Sequence, residues 1–180
     1  CPHRAARRQR MVWKRSGRQR PRYRLSCSLL STVPQDCAIN LFAGRIVVTG
    51  STITNNASST TSSAIGGGSA ATSIIRSSII AGNTGDPSAP DVEGLFQSQG
   101  YNLIGKNDGT SPDQSTGSVF QAGNPNANND IVGTNASPIN PLLASLFLNS
   151  PGSTPTHALI TGSPAIDKGS AVSGVTTDQR

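Results

Sequence analysis

From Arg45 onward the chain alternates short apolar runs with longer small-polar stretches, and no segment before Pro138 sustains a helical period. In "RIVVTGSTI", "TSIIRSSII" and "NDIVG" the apolar residues are Ile and Val, β-branched types that suit a pleated backbone. Ile46 and Val48 alternate with Val47 and Thr49, the period of a strand with one face inward. Between these runs lie "NNASSTTSSAIGGGSAATS", "GNTGDPSAPDVEG" and "KNDGTSPDQSTGS", rich in turn formers and poor in helix formers.

Four six-residue stretches repeat one pattern: "STITNN" at 51–56, "SIIAGN" at 78–83, "NLIGKN" at 102–107 and "DIVGTN" at 130–135. Their alignment puts Ile53, Ile80, Ile104 and Val132 in one column and Asn56, Asn83, Asn107 and Asn135 in another, with successive steps of 27, 24 and 28 residues. A period of that length marks a solenoid, whose coils bury their apolar faces only against neighbouring coils. Strand-like runs with turn-rich connections select the all-β kind, a parallel β-helix. The Ile/Val column then forms its core. The asparagine column is expected to form a structural ladder, since Asn tolerates a left-handed bend and its amide can bond to the amide one coil away. Serines and threonines ahead of it can stack in the same way. No catalytic role is assigned to either column.

After Pro138 the pattern changes. Prolines at 138, 141, 151, 155 and 164 punctuate the segment. The spacing of Leu142, Leu143, Leu146 and Phe147 predicts one or two helical turns across the end of the stack. The run "HALITGSPAIDKG" predicts a further strand, with Leu159–Ile160 about one period beyond Val132.

Composition divides the chain. Residues 1–24 carry ten Lys and Arg and no acid, whereas residues 25–180 carry five bases and nine acids. The overall charge of +6 therefore describes neither part, and the mildly acidic body gives no reason to expect nucleic acid as its partner. Cys1, Cys27 and Cys37, together with the lone Trp13 and Met11, all precede residue 38. The body can thus hold no disulfide and no cysteine-ligated metal. Three readings of the basic segment stand: a basic arm for an anionic surface, a poor export signal, or sequence that is not native to the fold. Residues 1–44 are expected to be unstructured or non-native, and residues 45–180 to hold the coils and a C-terminal cap. No apolar run approaches the roughly 20 residues that span a bilayer as a helix. The repeat starts at full strength at Arg45–Ser51 with no cap before it. The chain is therefore expected to be a piece of a longer protein, with further coils as partners of an exposed Ile46–Val48 end.

The ordered series "SIIAGNT", "GYNLIG", "DIVGT", "NPLL", "TPTHAL", "GSPAID" and "TDQR" resembles the C-terminal part of bacterial surface proteins of the choice-of-anchor type. The likeness runs from about Arg45 to the end. It implies right-handed parallel β-helix repeats of pectin-lyase-like fold, secretion or cell-surface location, and no catalytic residues to carry over. The local turn departs from the pattern, reading "NSPGS" before "TPTHAL". The expected function is a non-catalytic structural or adhesive module that presents a glycan- or protein-binding face.

The alternative is a β-helical carbohydrate-active enzyme, either a polysaccharide lyase or a glycoside hydrolase. A glycosidase needs two carboxylates across the scissile bond. Asp86, Asp91, Glu93, Asp108, Asp113 and Asp130 instead all read as solvated turn carboxylates, beside Gly, Pro or Asn. His157, alone in the body, reads as a packed structural histidine. No cofactor is expected. Oxygen-rich "GNPNANNDIVG" and "KNDGTSPD" lack EF-hand spacing and leave only weak calcium binding as an alternative.

Overall fold

The computed structural model describes residues 39–41, 45–57, 64–67, 73–85, 91–93, 96–107 and 120–173. Among these the chain is all-β, and no helix occurs. Three passes supply three strands each. The first has β1 (Ile39–Leu41), β2 (Val47–Thr49) and β3 (Thr52–Ile53); the second has β4 (Ile65–Gly67), β5 (Ser73–Arg76) and β6 (Ile79–Ile80). The third has β7 (Val92–Glu93), β8 (Phe96–Ser98) and β9 (Leu103–Ile104), and β10 (Ile131–Val132) follows alone. Three sheets are parallel and take every third strand through β9: β1-β4-β7, β2-β5-β8 and β3-β6-β9, with β10 pairing in parallel on β9. The repeat period is thus the step from one strand to its lateral neighbour.

Register follows the aligned column. Ile53 pairs with Ile80, Ile80 with Ile104, and Ile104 with Val132. All four are buried in one cluster with Val48, Ile75 and Phe96 of the second sheet and Ile65 and Val92 of the first. The core therefore draws on all three parallel sheets, and among the described residues Phe120 and Phe96 supply its buried aromatic rings. Single strands of two to four residues could not hold themselves. Lateral pairing and this shared core hold them together.

Strand β1 lies inside the stretch 1–44 expected to be unstructured, yet it pairs with β4 through Ile39↔Ile65, and Ile39 packs on the core. The paired region therefore includes Ile39–Leu41, because Ile39 supplies a β-branched residue in register with Ile65 and Val92 of the same sheet. The remainder of that basic stretch lies outside the described residues, as do Asp86, Asp108, Asp113 and "TDQR".

The C-terminal segment departs from both expectations placed on it. Leu142–Leu148 forms no helical turn. It runs antiparallel to Pro155–Ile160, with Leu143 bridged to Leu159 and β11 (Phe147–Leu148) paired to β12 (Pro155–Thr156). Leu142 takes a left-handed φ of 50°, held by its N–H donating to Asn140 Oδ1 at 2.9 Å, and that conformation breaks a helix at its first turn. Leu159 consequently joins this hairpin and does not extend the β3-β6-β9-β10 sheet. The segment then crosses the outer face of that sheet, where Ala165 packs on Ala81, Leu103 and Ile131. It is tied down beyond by Arg76 Nη2 to the Ala171 carbonyl (3.0 Å) and Ser77 Oγ to the Ser170 carbonyl (3.1 Å).

Candidate functional site

The chemistry-bearing groups of the body converge on the bends that flank the third sheet. Each chain pass enters β3, β6, β9 and β10 through a residue of positive φ: Gly50, Ser77, Tyr101 and Asn129, at 56°, 45°, 62° and 60°. Such a bend turns the next side chain inward, and the next residues are Ser51, Ser78, Asn102 and Asp130. All four are buried. They form a directional ladder. Ser51 N–H donates to Ser78 Oγ (3.2 Å), Ser78 N–H to Asn102 Oδ1 (3.1 Å), and Asn102 N–H to Asp130 Oδ1 (2.8 Å). Asn102 Nδ2 adds a second bond to Asp130 Oδ1 at 3.0 Å, and Ser98 Oγ donates to Asp130 Oδ2 at 2.6 Å. A carboxylate only accepts, so it is suited to end a chain in which every backbone N–H donates toward it.

A second ladder lies on the far side of the same sheet. Asn55 and Gly82 have positive φ, and Asn56 and Asn83 follow them inward. Asn56 donates its N–H (3.1 Å) and Nδ2 (2.9 Å) to Asn83 Oδ1. Asn83 donates its own pair to Asp91 Oδ1 at 3.2 and 2.8 Å, and Lys106 N–H donates to Asp91 Oδ2 at 2.8 Å. The structure thus brings together Asn56 and Asn83 of the expected column. Asn107 instead turns to the Phe120 carbonyl (2.6 Å), and Asn135 is exposed. The reason is local: Lys106 and Thr134, which precede them, lack the left-handed φ that aims Asn56 and Asn83 inward. Asp91 fills the vacated rung from the opposite end of its pass. Gly105 makes room for it, since a Cβ there would sit 2.7 Å from Asp91 Oδ2.

Asp91 and Asp130 are therefore not the solvated turn carboxylates that their Pro- and Asn-rich surroundings suggest; they are 1% and 0% exposed. Both were visible only as acids in turn-like sequence. Asp130 carried one further signal, its place in the first column of the four aligned stretches, after Ser51, Ser78 and Asn102. Burial pushes the Asp91 carboxyl up to about 6, against the pull of the Asn83 and Lys106 bonds and the Lys106 charge. Glu93 and Asp167 are exposed. His157 Nδ1 lies 2.7 Å from the Ala144 carbonyl, which can only accept, so this nitrogen carries the hydrogen and the ring braces the hairpin. Among the described residues no three His, Cys, Asp or Glu side chains gather as a metal site, and no helix is long and apolar enough to cross a membrane. A cleft of about 100 Å³ opens between the third sheet and the C-terminal segment, lined by residues that include Ser77, Tyr101, Leu159 and Lys168.

No protein family, curated protein or solved structure matches this chain.

Proposed function

We propose that the three parallel sheets are the faces of a right-handed parallel β-helix serving as a non-catalytic structural or adhesive module of a secreted or cell-surface protein. The observation that carries this reading is the use made of the buried polar groups. Asp91 and Asp130 accept backbone and amide N–H groups from successive passes, so each is committed to holding the stack. General acid–base work needs a carboxyl free to reach a substrate proton, and a carboxylate saturated by framework donors is poorly placed for it. The topology of every-third-strand pairing supports the solenoid, whose repetition yields long faces suited to display or spacing. The resemblance of the ordered motifs to bacterial surface proteins supports the exported setting.

The module's ligand is expected to be a glycan or protein surface. A glycan array with the full chain, read beside a turnover assay on uronate polymers with calcium, tests this. Saturable binding without turnover is expected. Turnover lost on a carboxylate substitution that leaves the fold intact would replace this reading with that of a carbohydrate-active enzyme.

A further inference from the structure

We infer, resting on the glycan-binding reading above, that the cleft between the third sheet and the C-terminal segment is a subsite for one carboxylated sugar unit, with the Tyr101 ring as its platform and Lys168 as the counter-charge to its carboxylate. The fold builds this cleft before any ligand arrives. On one side Ala165 packs on Leu103 and Ile131. On the other, Arg76 Nη2 holds the Ala171 carbonyl at 3.0 Å, and Ser77 Oγ holds the Ser170 carbonyl at 3.1 Å. Lys168 and Gly169 lie between these anchors and line the cleft, whose apolar lining includes Leu103, Ile131 and Leu159. Its volume of about 100 Å³ is well below the roughly 300–1,000 Å³ of sites for drug-sized ligands. It admits one ring-sized unit and excludes a helix or strand of a protein partner.

Tyr101 is the residue out of place. It enters β9 at a φ of 62°, where the matching bends of the other passes use Gly50, Ser77 and Asn129. Gly and Asn adopt this left-handed conformation at least cost, whereas a bulky aromatic there is an outlier. Strained residues of this kind cluster at ligand sites. Core packing does not hold the ring, since the side chain is 39% exposed and lines the cleft. A tyrosine offers a rigid apolar face and a polar tip at low entropic cost, which matches the C–H face and the hydroxyls of a pyranose. Lys168 sets the sign of the ligand. Its side chain is exposed, and no Asp or Glu lines the cleft. The neighbouring Asp167 is exposed and lies outside the lining. An ammonium on a flexible stem can follow a carboxylate at the cleft mouth. A neutral sugar would meet Tyr101 alone, and a sugar acid would meet both.

The test titrates the full chain with methyl glucuronide and with methyl glucoside at low ionic strength, followed by NMR chemical shifts. The wild type is expected to bind the glucuronide about 3–5-fold more tightly, the scale of an exposed ion pair. Lys168→Gln should abolish that preference and keep the glucoside binding. Tyr101→Asn should weaken both sugars by about 10-fold. Its urea midpoint should stay level or rise, because Asn suits the left-handed bend. Equal affinity for the two sugars in the wild type overturns the inference, and so does binding unchanged by Tyr101→Asn. A midpoint clearly lowered by Tyr101→Asn marks the ring as structural and overturns it too; Lys168→Gln, at an exposed side chain, is read without that complication. Glycan-array binding that survives both substitutions removes this subsite and leaves the adhesive module standing. A blank array, with neither sugar bound, removes the glycan-binding reading as well.

Discussion

Replacing Asn102 with Leu removes the central rung of the Ser51–Asp130 ladder while nearly preserving side-chain shape. Oδ1 of Asn102 is the acceptor of the Ser78 N–H at 3.1 Å, and Ser78 is buried, so the substitution orphans a backbone donor out of reach of water. That costs about 1–3 kcal/mol. The Nδ2 bond to Asp130 Oδ1 at 3.0 Å is lost as well, a bond to a charged group worth about 1.5–3 kcal/mol, while the backbone N–H of residue 102 still serves that oxygen. Nδ2 also reaches the Ile75 carbonyl (3.2 Å) and Ser98 Oγ (3.1 Å), so no donor to Ile75 remains from this side chain. The sum is about 2.5–6 kcal/mol, a large share of a domain's stability. Asn107→Leu is the matched control. That side chain is half-buried and donates one bond, to the Phe120 carbonyl, so about 1 kcal/mol is expected. Urea unfolding followed by far-ultraviolet circular dichroism measures both. Equal costs, or a loss below about 1 kcal/mol for Asn102→Leu, would show that the polar ladder does not hold the passes together.

Gly105→Ala should lower the unfolding midpoint by the equivalent of about 1–3 kcal/mol, since the added methyl meets Asp91 Oδ2 and Ala81; an unchanged midpoint would mean that the Asp91 rung is not seated there. Ile80→Ala, at a fully buried position between Ile53 and Ile104, should cost about 2–5 kcal/mol by the same assay. Phe147→Ser, at a side chain 71% exposed, should change stability by less than about 0.5 kcal/mol, and a larger loss would place that ring in a contact. Asn126→Ala should cost more than an exposed turn position ordinarily does, about 1–2 kcal/mol, because Asn126 Oδ1 accepts the N–H groups of Asn128 and Asp130 and so positions the ladder's last carboxylate.

Much of the architecture was legible in the order of residues alone. A strand with one face inward must alternate, and a stack of such strands must return the same residue types at each pass, so the column Ile53, Ile80, Ile104, Val132 emerged from spacing and reappears as lateral register. The same six-residue alignment contained the Ser51–Asp130 column, but nothing local distinguishes a buried Ser or Asp from a solvated one. Burial is a property of what neighbouring passes place around a side chain. The asparagine column misled in its later half for a related reason. Direction depends on the φ of the preceding residue, and the sequence shows Lys106 or Thr134 there without stating which conformation it takes. The C-terminal leucines fit a helical spacing, yet Asn140 capturing the Leu142 N–H and the pairing of Leu143 with Leu159 drew them into a hairpin. Periodicity therefore reported the repeat, because every pass meets the same physical demand. Tertiary structure alone decided which acids are buried, since Asp91 and Asp130 gain their role only where separate passes aim N–H groups at one point from which water is excluded.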